Sequence, residues 1–248
     1  MSTQPYLPPV SLLLTYGAYD VADTLLWPDY LALGFTAEHI PELIRMATDR
    51  TLQRGTDFDD PRFFASLHAM RTLGQLRAEE AIEPLLAVLE MDYEECLLMG
   101  DLPHVYGMIG PAAISTLTAF LRDTSLDIYD RAYMADGLVE IARQHPEARA
   151  EVVSILMEQL TRFEQEDATF NSFIVAHLAE LKEIAAFSLI LRAFEADKVN
   201  TDNADLDYVL YYLGLKQPEV PLIELDPNAA ETPWLNGYHD GPFTESSN

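Results

Sequence analysis

Apolar residues along this chain recur at intervals of three and four, and a short apolar-small pair interrupts the recurrence at near-regular distances. In residues 71–90, RTLGQLRAEEAIEPLLAVLE, the positions Leu73, Leu76, Ala81, Ile82, Leu85, Leu86 and Leu89 keep helical spacing on both sides of a Leu-Gly pair. The pattern predicts two short helices joined by a tight turn. Gly74 is expected to close the first in a left-handed conformation, and Pro84 falls in a first turn whose amide has no intrahelical partner. The pair returns as Ile109-Gly110, Ile141-Ala142, Leu178-Ala179 and Leu213-Gly214, in steps of 36, 32, 37 and 35 residues, and Leu33-Gly34 lies 40 residues upstream. After each pair comes a second apolar helix, in turn EAIEPLLAVL, PAAISTLTAFLRD, RAEVVSILMEQLTRF and IAAFSLILRAF. Strand signals are nearly absent. A two-helix unit of this length cannot bury its own apolar face, so the units must stack, and the fold expected is all-α: an α-solenoid of about six helix pairs.

Helix starts carry their own marks. Asp60-Pro61 offers an N-cap followed by Pro at the first helical position, Thr36 with Glu38 gives a second cap with an acid in the first turn, and Gly110-Pro111 gives a third start. From about Lys216 the periodicity ends in a tail with five prolines, Pro218, Pro221, Pro227, Pro233 and Pro242. The organisation expected is one solenoid over residues 1–215 and an acidic, Pro-rich tail over 216–248, whose Leu222, Ile223, Leu225, Trp234 and Phe243 suit a cap over the last pair or a docking segment.

Charge narrows the choice of partner. The chain carries 15 Lys plus Arg against 41 Asp plus Glu, a formal net charge of −26, with only three lysines: Lys182, Lys198 and Lys216. Such a field repels phosphate backbones and anionic membrane surfaces, so direct nucleic-acid or membrane binding is not expected and the partner expected is a neutral or basic protein or peptide. The amino-terminal segment lacks the positive charge and the long apolar run of a signal peptide, no stretch is long enough to span a bilayer, and Cys96 is the single cysteine. A cytoplasmic location is the expectation, with no cofactor implied. An acidic, Lys-poor surface also serves solubility alone.

With the unit LHAMRTLGQLRAEEAIEPLLAVLEMD in view, the sequence resembles bacterial HEAT-like repeat proteins of the phycobiliprotein-lyase type, through Ala69, Leu73, Gly74, Ala81, Ile82, Leu85, Leu86 and Leu89. The next unit matches through Ile109, Gly110, Ala113, Ile114, Leu117 and Leu121, and later units match more loosely, over residues 30–214 in all. The resemblance implies architecture. It brings no catalytic position, because repeats of this kind serve chromophore lyases, adaptors and many other bacterial proteins alike.

Candidate chemistry is sparse. His68 and His104 each stand six residues before the small residue of their unit, but the same count in the next two units gives Asp136 and Phe173, so packed or rim histidines are the expectation. Asn203, Asp205 and Asp207 imitate the start of a calcium loop, yet Tyr208 stands where its glycine belongs and Gly214 where its bidentate Glu belongs. Asp57, Asp59 and Asp60 suit turns and caps. Glu79-Glu80 and Glu94-Glu95 are adjacent pairs that do not face one another on a helix, and the acids around Cys96 disfavour a thiolate. No G-x-S-x-G, Walker-type or Rossmann motif occurs.

The function expected is therefore a non-enzymatic scaffold or adaptor that binds its partner along an acidic concave surface lined by the second helices, with Glu83, Glu90, Thr116, Glu151, Glu158 and Arg192 as groove residues and Tyr93, Tyr129 or Trp234 as aromatic anchors. Two alternatives stand beside it: a bilin lyase or lyase-like chaperone for a phycobiliprotein, and an acidic nucleic-acid mimic that blocks a DNA-binding protein.

Overall fold

The computed structural model describes residues 5–18, 27–52, 59–90 and 100–216, and among these all regular structure is helical. Cys96, Tyr93, Glu94-Glu95, Asp57 and the tail from 217 onward, Trp234 included, lie outside the described residues. The helices are α1 (Ile40–Ala47), α2 (Ala65–Gln75), α3 (Ile82–Leu85), α4 (Leu102–Ile109), α5 (Ile114–Arg122), α6 (Ile128–Gln144), α7 (Arg149–Leu160), α8 (Ala168–Glu180), α9 (Phe187–Glu195) and α10 (Leu206–Tyr212). Four complete pairs, α2–α3 through α8–α9, are flanked by a lone second helix, α1, and a lone first helix, α10. The six beats of the sequence are thus four whole units and two halves. Leu31–Leu33 ahead of α1 forms only one 3-10 turn, ended by Gly34 at φ 89°.

The helices stack in two layers. The first helices, α2, α4, α6, α8 and α10, pack in order one against the next, while the second helices lie across them and touch one another sparsely. Between the layers sits one continuous core that includes Leu43, Leu73, Leu85, Tyr106, Leu117, Leu138, Leu156, Phe170, Leu178 and Ile190, each at 0% exposure. Each buried side chain of this size contributes roughly 1.5–3 kcal/mol, so the interfaces between units, rather than the short helices themselves, hold the stack.

The same corner is built into every unit. A single 3-10 turn precedes each second helix, at Ala37–His39, Glu79–Ala81, Pro111–Ala113, Pro146–Ala148 and Ile184–Ala186, and in the four complete pairs the turn ends on a buried alanine. Pro at the first position suits the turn twice. Pro84 lies within α3, and the chain passes directly into a 3-10 stretch, Leu86–Glu90, so this second helix is the least regular of the set. The Asp60 cap forms as expected, accepting from the Arg62 amide at 2.9 Å. Thr36 makes a capping box with His39, not with an acid.

Gly74 has a different role from the one its position in a Leu-Gly pair predicts. It is helical, α2 continues to Gln75, and the left-handed residue of this turn is Arg77 at φ 51°. A Cβ on Gly74 would stand 3.3 Å from Met108 Sδ and 3.4 Å from Val105 Cα, so the glycine lets α2 and α4 approach closely. Gly110, at φ 94°, does close its helix as expected.

Candidate functional site

The groove residues expected from sequence all fall on the second-helix layer: Glu83 on α3, Glu90 at the end of the 3-10 stretch that follows it, Thr116 on α5, Glu151 and Glu158 on α7 and Arg192 on α9. Glu83 and Glu151 are exposed and make no ion pair among the described residues. Glu158 is exposed and accepts from Arg122 Nη2 at 2.7 Å, Thr116 is half-buried, and Arg192 is exposed with its guanidinium 5.9 Å from the Phe163 ring centre. The side chain of Glu90 is outside the described set. Tyr129 is 38% exposed, with its ring 6.2 Å from Phe173.

The first-helix layer carries what the sequence reading missed: a line of polar contacts that crosses α4, α6, α8 and α10. The Trp27 ring meets His104 edge-on at 5.0 Å, and His104 Nδ1 stands 3.3 Å from Glu140 Oε2. Arg143 donates to Glu140 at 2.8 Å and to Glu180 at 2.8 Å, and Glu180 also accepts from the Tyr208 hydroxyl at 2.8 Å. Burial works against ionisation of Glu140, but the His104 and Arg143 hydrogen bonds outweigh it and hold the carboxyl down to about 2. Beside this line His177 Nε2 lies 3.1 Å from Asp136 Oδ1; burial lowers its basicity, yet the Asp136 carboxylate prevails and the imidazole is held above its ordinary value.

Spacings of one repeat also link His68, His104 and His177 through Glu140, one helical turn away from the positions that counting back from the small residues gives. His68, His104, Glu140 and His177 follow at 36, 36 and 37 residues, and of these His104 and Glu140 meet across α4 and α6. Counting from Ala142 and Ala179 pointed to Asp136 and Phe173 because the third and fourth units close their turns differently from the second. His68 itself is fully buried. Its Nε2 is 2.8 Å from the Gly17 carbonyl and its Nδ1 2.6 Å from the Tyr30 hydroxyl, so Nε2–H donates, Nδ1 accepts, and the ring is neutral. Burial, with the Arg71 charge adding to it, pushes its pKa down to about 4 despite the Gly17 carbonyl.

Arginine is the residue that joins the units. Arg71 pairs with Asp101, Arg122 with Glu158, Arg131 with Glu166, Arg143 with Glu180 and Arg149 with Glu183, each carboxylate lying 30 to 37 residues after its arginine, about one repeat. Arg131 is held completely: Nη1 and Nη2 donate to the two oxygens of Glu166 at 2.9 Å each, Nε donates to the Leu121 carbonyl at 2.8 Å, and the guanidinium lies 4.0 Å over the Phe170 ring. Arg71 has the same plan with half its bonds. Nε donates to Asp101 at 2.6 Å, the guanidinium stacks 4.9 Å from the Trp27 ring, and the Tyr30 hydroxyl is its further polar neighbour, while neither Nη makes a hydrogen bond of ordinary geometry. A signal for both was present: a charged residue on the apolar face of a first helix, followed one period later by an acid.

The calcium-like loop is explained by local bonding. Asp205 caps α10 by accepting from the Tyr208 amide at 2.7 Å, Asp207 accepts from Lys216 at 2.9 Å, and Asn203 donates to Ser172 at 3.1 Å.

Comparison with family models matches residues 67–91, the α2–α3 unit, to the PBS lyase HEAT-like repeat, so the chain carries a HEAT-like repeat of that type. No curated protein and no solved structure matches the chain. Among the described residues no single helix is long and apolar enough to cross a membrane.

Proposed function

We propose that this helical-repeat scaffold is a non-enzymatic adaptor that binds a neutral or basic protein or peptide through the carboxylates of its second-helix layer. The observation that supports the reading is the fate of the scarce cations. Arg45, Arg62, Arg71, Arg122, Arg131, Arg143, Arg149 and Lys216 are each paired with a carboxylate of the same chain, whereas Glu79, Glu80, Glu83 and Glu151 are exposed without an ion pair among the described residues. Those four carboxylates favour a basic partner, because the negative potential they contribute raises the rate of its encounter.

Affinity capture with the tagged full chain, at low and moderate salt and followed by mass spectrometry, tests it. A retained basic or neutral protein that salt weakens, and that Glu83→Lys with Glu151→Lys releases, supports the adaptor. A retained protein indifferent to both salt and charge reversal sinks this reading. The match to a repeat described as PBS lyase type favours a second reading, a lyase-like chaperone for a phycobiliprotein. Incubation with free bilin and a phycobiliprotein subunit separates the two, since only the chaperone produces an absorbance shift.

A further inference from the structure

Two buried histidines of the first-helix layer sit in opposite electrostatic settings. His68 is bonded at both ring nitrogens by neutral groups, the Gly17 carbonyl and the Tyr30 hydroxyl. His177 on α8 faces a carboxylate instead, its Nε2 lying 3.1 Å from Asp136 Oδ1 on α6. The His177 side chain is 9% exposed and that of Asp136 41%, so a buried base stands against an acid that water reaches. The other charged groups near the ring are Arg143 of α6 and Glu180 of α8, bonded to each other at 2.8 Å, and on the α10 side Tyr208 donates to Glu180 with Tyr212 beside it. The charged residues of α7 are placed elsewhere: Arg149 bonds the Leu181 carbonyl and Glu183, Glu158 bonds Arg122, and Glu151 is exposed.

Two arginine pairs also join these helices, Arg131 to Glu166 just ahead of α8 and Arg143 to Glu180 at its end. A guanidinium keeps its charge throughout the neutral range, and an imidazole does not. We propose that His177 is a proton-controlled clasp between α6 and α8: the protonated ring adds a third charge pair through Asp136, and the neutral ring leaves the charge pairing to the two arginines. Burial works against the charged imidazole, yet Asp136 and, beyond it, Glu180 prevail over burial and Arg143 and hold the ring above its ordinary 6.5. Since the folded-state value is the raised one, the contribution of the clasp is fully present below pH 6.5 and is lost as pH rises through the folded value. His68, held down to about 4, stays neutral across that range and takes no part. Towards α4, one turn along α6 from Asp136, Glu140 meets His104 at 3.3 Å; the His104 side chain is 32% exposed, so solvent screens this pair and the α4–α6 interface responds less. Mild acid therefore tightens the third and fourth complete pairs against each other, and mild alkali loosens them.

Hydrogen–deuterium exchange of the full chain at pH 6 and pH 8, with each rate divided by the intrinsic chemical rate at that pH, tests the clasp. Protection of the α8 amides falls by about threefold or more at the higher pH, while protection in α2 changes less. Asp136→Asn removes the difference by giving α8 the lower protection at both pH values. Should that variant fail to fold by circular dichroism, His177→Gln, which keeps a neutral donor, gives the same pH-independent result. The ring proton resonance of His177, assigned by backbone connectivity, supplies an independent reading: its midpoint lies above 6.5 in the native chain. Equal α8 protection at both pH values overturns the proposal, as does an equal fall in α2. A pH dependence that survives in the substituted chain, or a His177 midpoint at or below 6.5, overturns it too.

Discussion

At the α6–α8 boundary a buried arginine meets a bidentate carboxylate, a backbone carbonyl and an aromatic face; at the α2–α4 boundary a buried arginine meets a carboxylate through one nitrogen, an aromatic face and the neighbouring Tyr30 hydroxyl. Both arginines are buried and each meets an acid about one repeat onward, 30 residues for Arg71 and 35 for Arg131, so the difference lies in completeness. A fully bonded pair of this kind holds two units in register. A pair bonded through one nitrogen does that less well.

The largest expected effect separates the two directly. Arg131→Met leaves Glu166 buried without its cation and should lower unfolding stability by about 3–5 kcal/mol in urea titration. Acid should then strike the α2–α4 side in particular. His68 is held neutral with a pKa of about 4 against an ordinary 6.5, so the unfolded chain binds its proton first and stability falls as pH drops from 6.5 towards 4, by about 3 kcal/mol in full. His68→Gln, which can still accept from Tyr30 and donate to Gly17, should flatten that part of the stability-against-pH curve; an unaltered slope would show that another group is responsible.

Gly107→Ala probes the α4–α6 contact between the two centres. Its Cβ would stand 2.5 Å from Gln144 Nε2 and 2.9 Å from Glu140 Cβ, so a loss of about 1–3 kcal/mol is expected from thermal unfolding. Arg71→Met should lose less than Arg131→Met, about 1 kcal/mol, because Arg71 holds its carboxylate through Nε alone and the substitution leaves Asp101, whose carboxyl burial already holds above its usual range, free to protonate. If its loss equals that of Arg131→Met, the contrast between the two sites fails. Smallest is Glu158→Gln, which breaks an exposed pair with Arg122 and should shift stability by about 0.5 kcal/mol or less, leaving a folded variant for binding measurements.

The all-α stack was legible because a helical period interrupted at one-repeat intervals leaves few alternatives. What failed was the meaning given to single positions. Gly74 reads as a terminator since glycine commonly ends helices, but whether a glycine supplies a left-handed residue or makes room for a neighbouring helix depends on Val105 and Met108, 31 and 34 residues away. The histidine register slipped by a turn because turn lengths vary: Gly110 closes one unit alone, whereas Leu181 and Lys182 extend another. Trp27, Arg71 and Asp101 come from three separate stretches, so their meeting has no local signature. Arg71 could still have been suspected, as a charge between Met70, Leu73 and Gly74 on the face of a helix that must be buried.

In each of the five arginine pairs that join units, the cation comes first in the chain and its carboxylate follows 30 to 37 residues later. Synthesis runs in the same direction. At about 5–20 residues per second, each unit emerges with its arginine unmatched and waits a few seconds for the acid that completes it. A ribosome halted between one of these arginines and its acid leaves the nascent chain with that cation unmatched at its growing end.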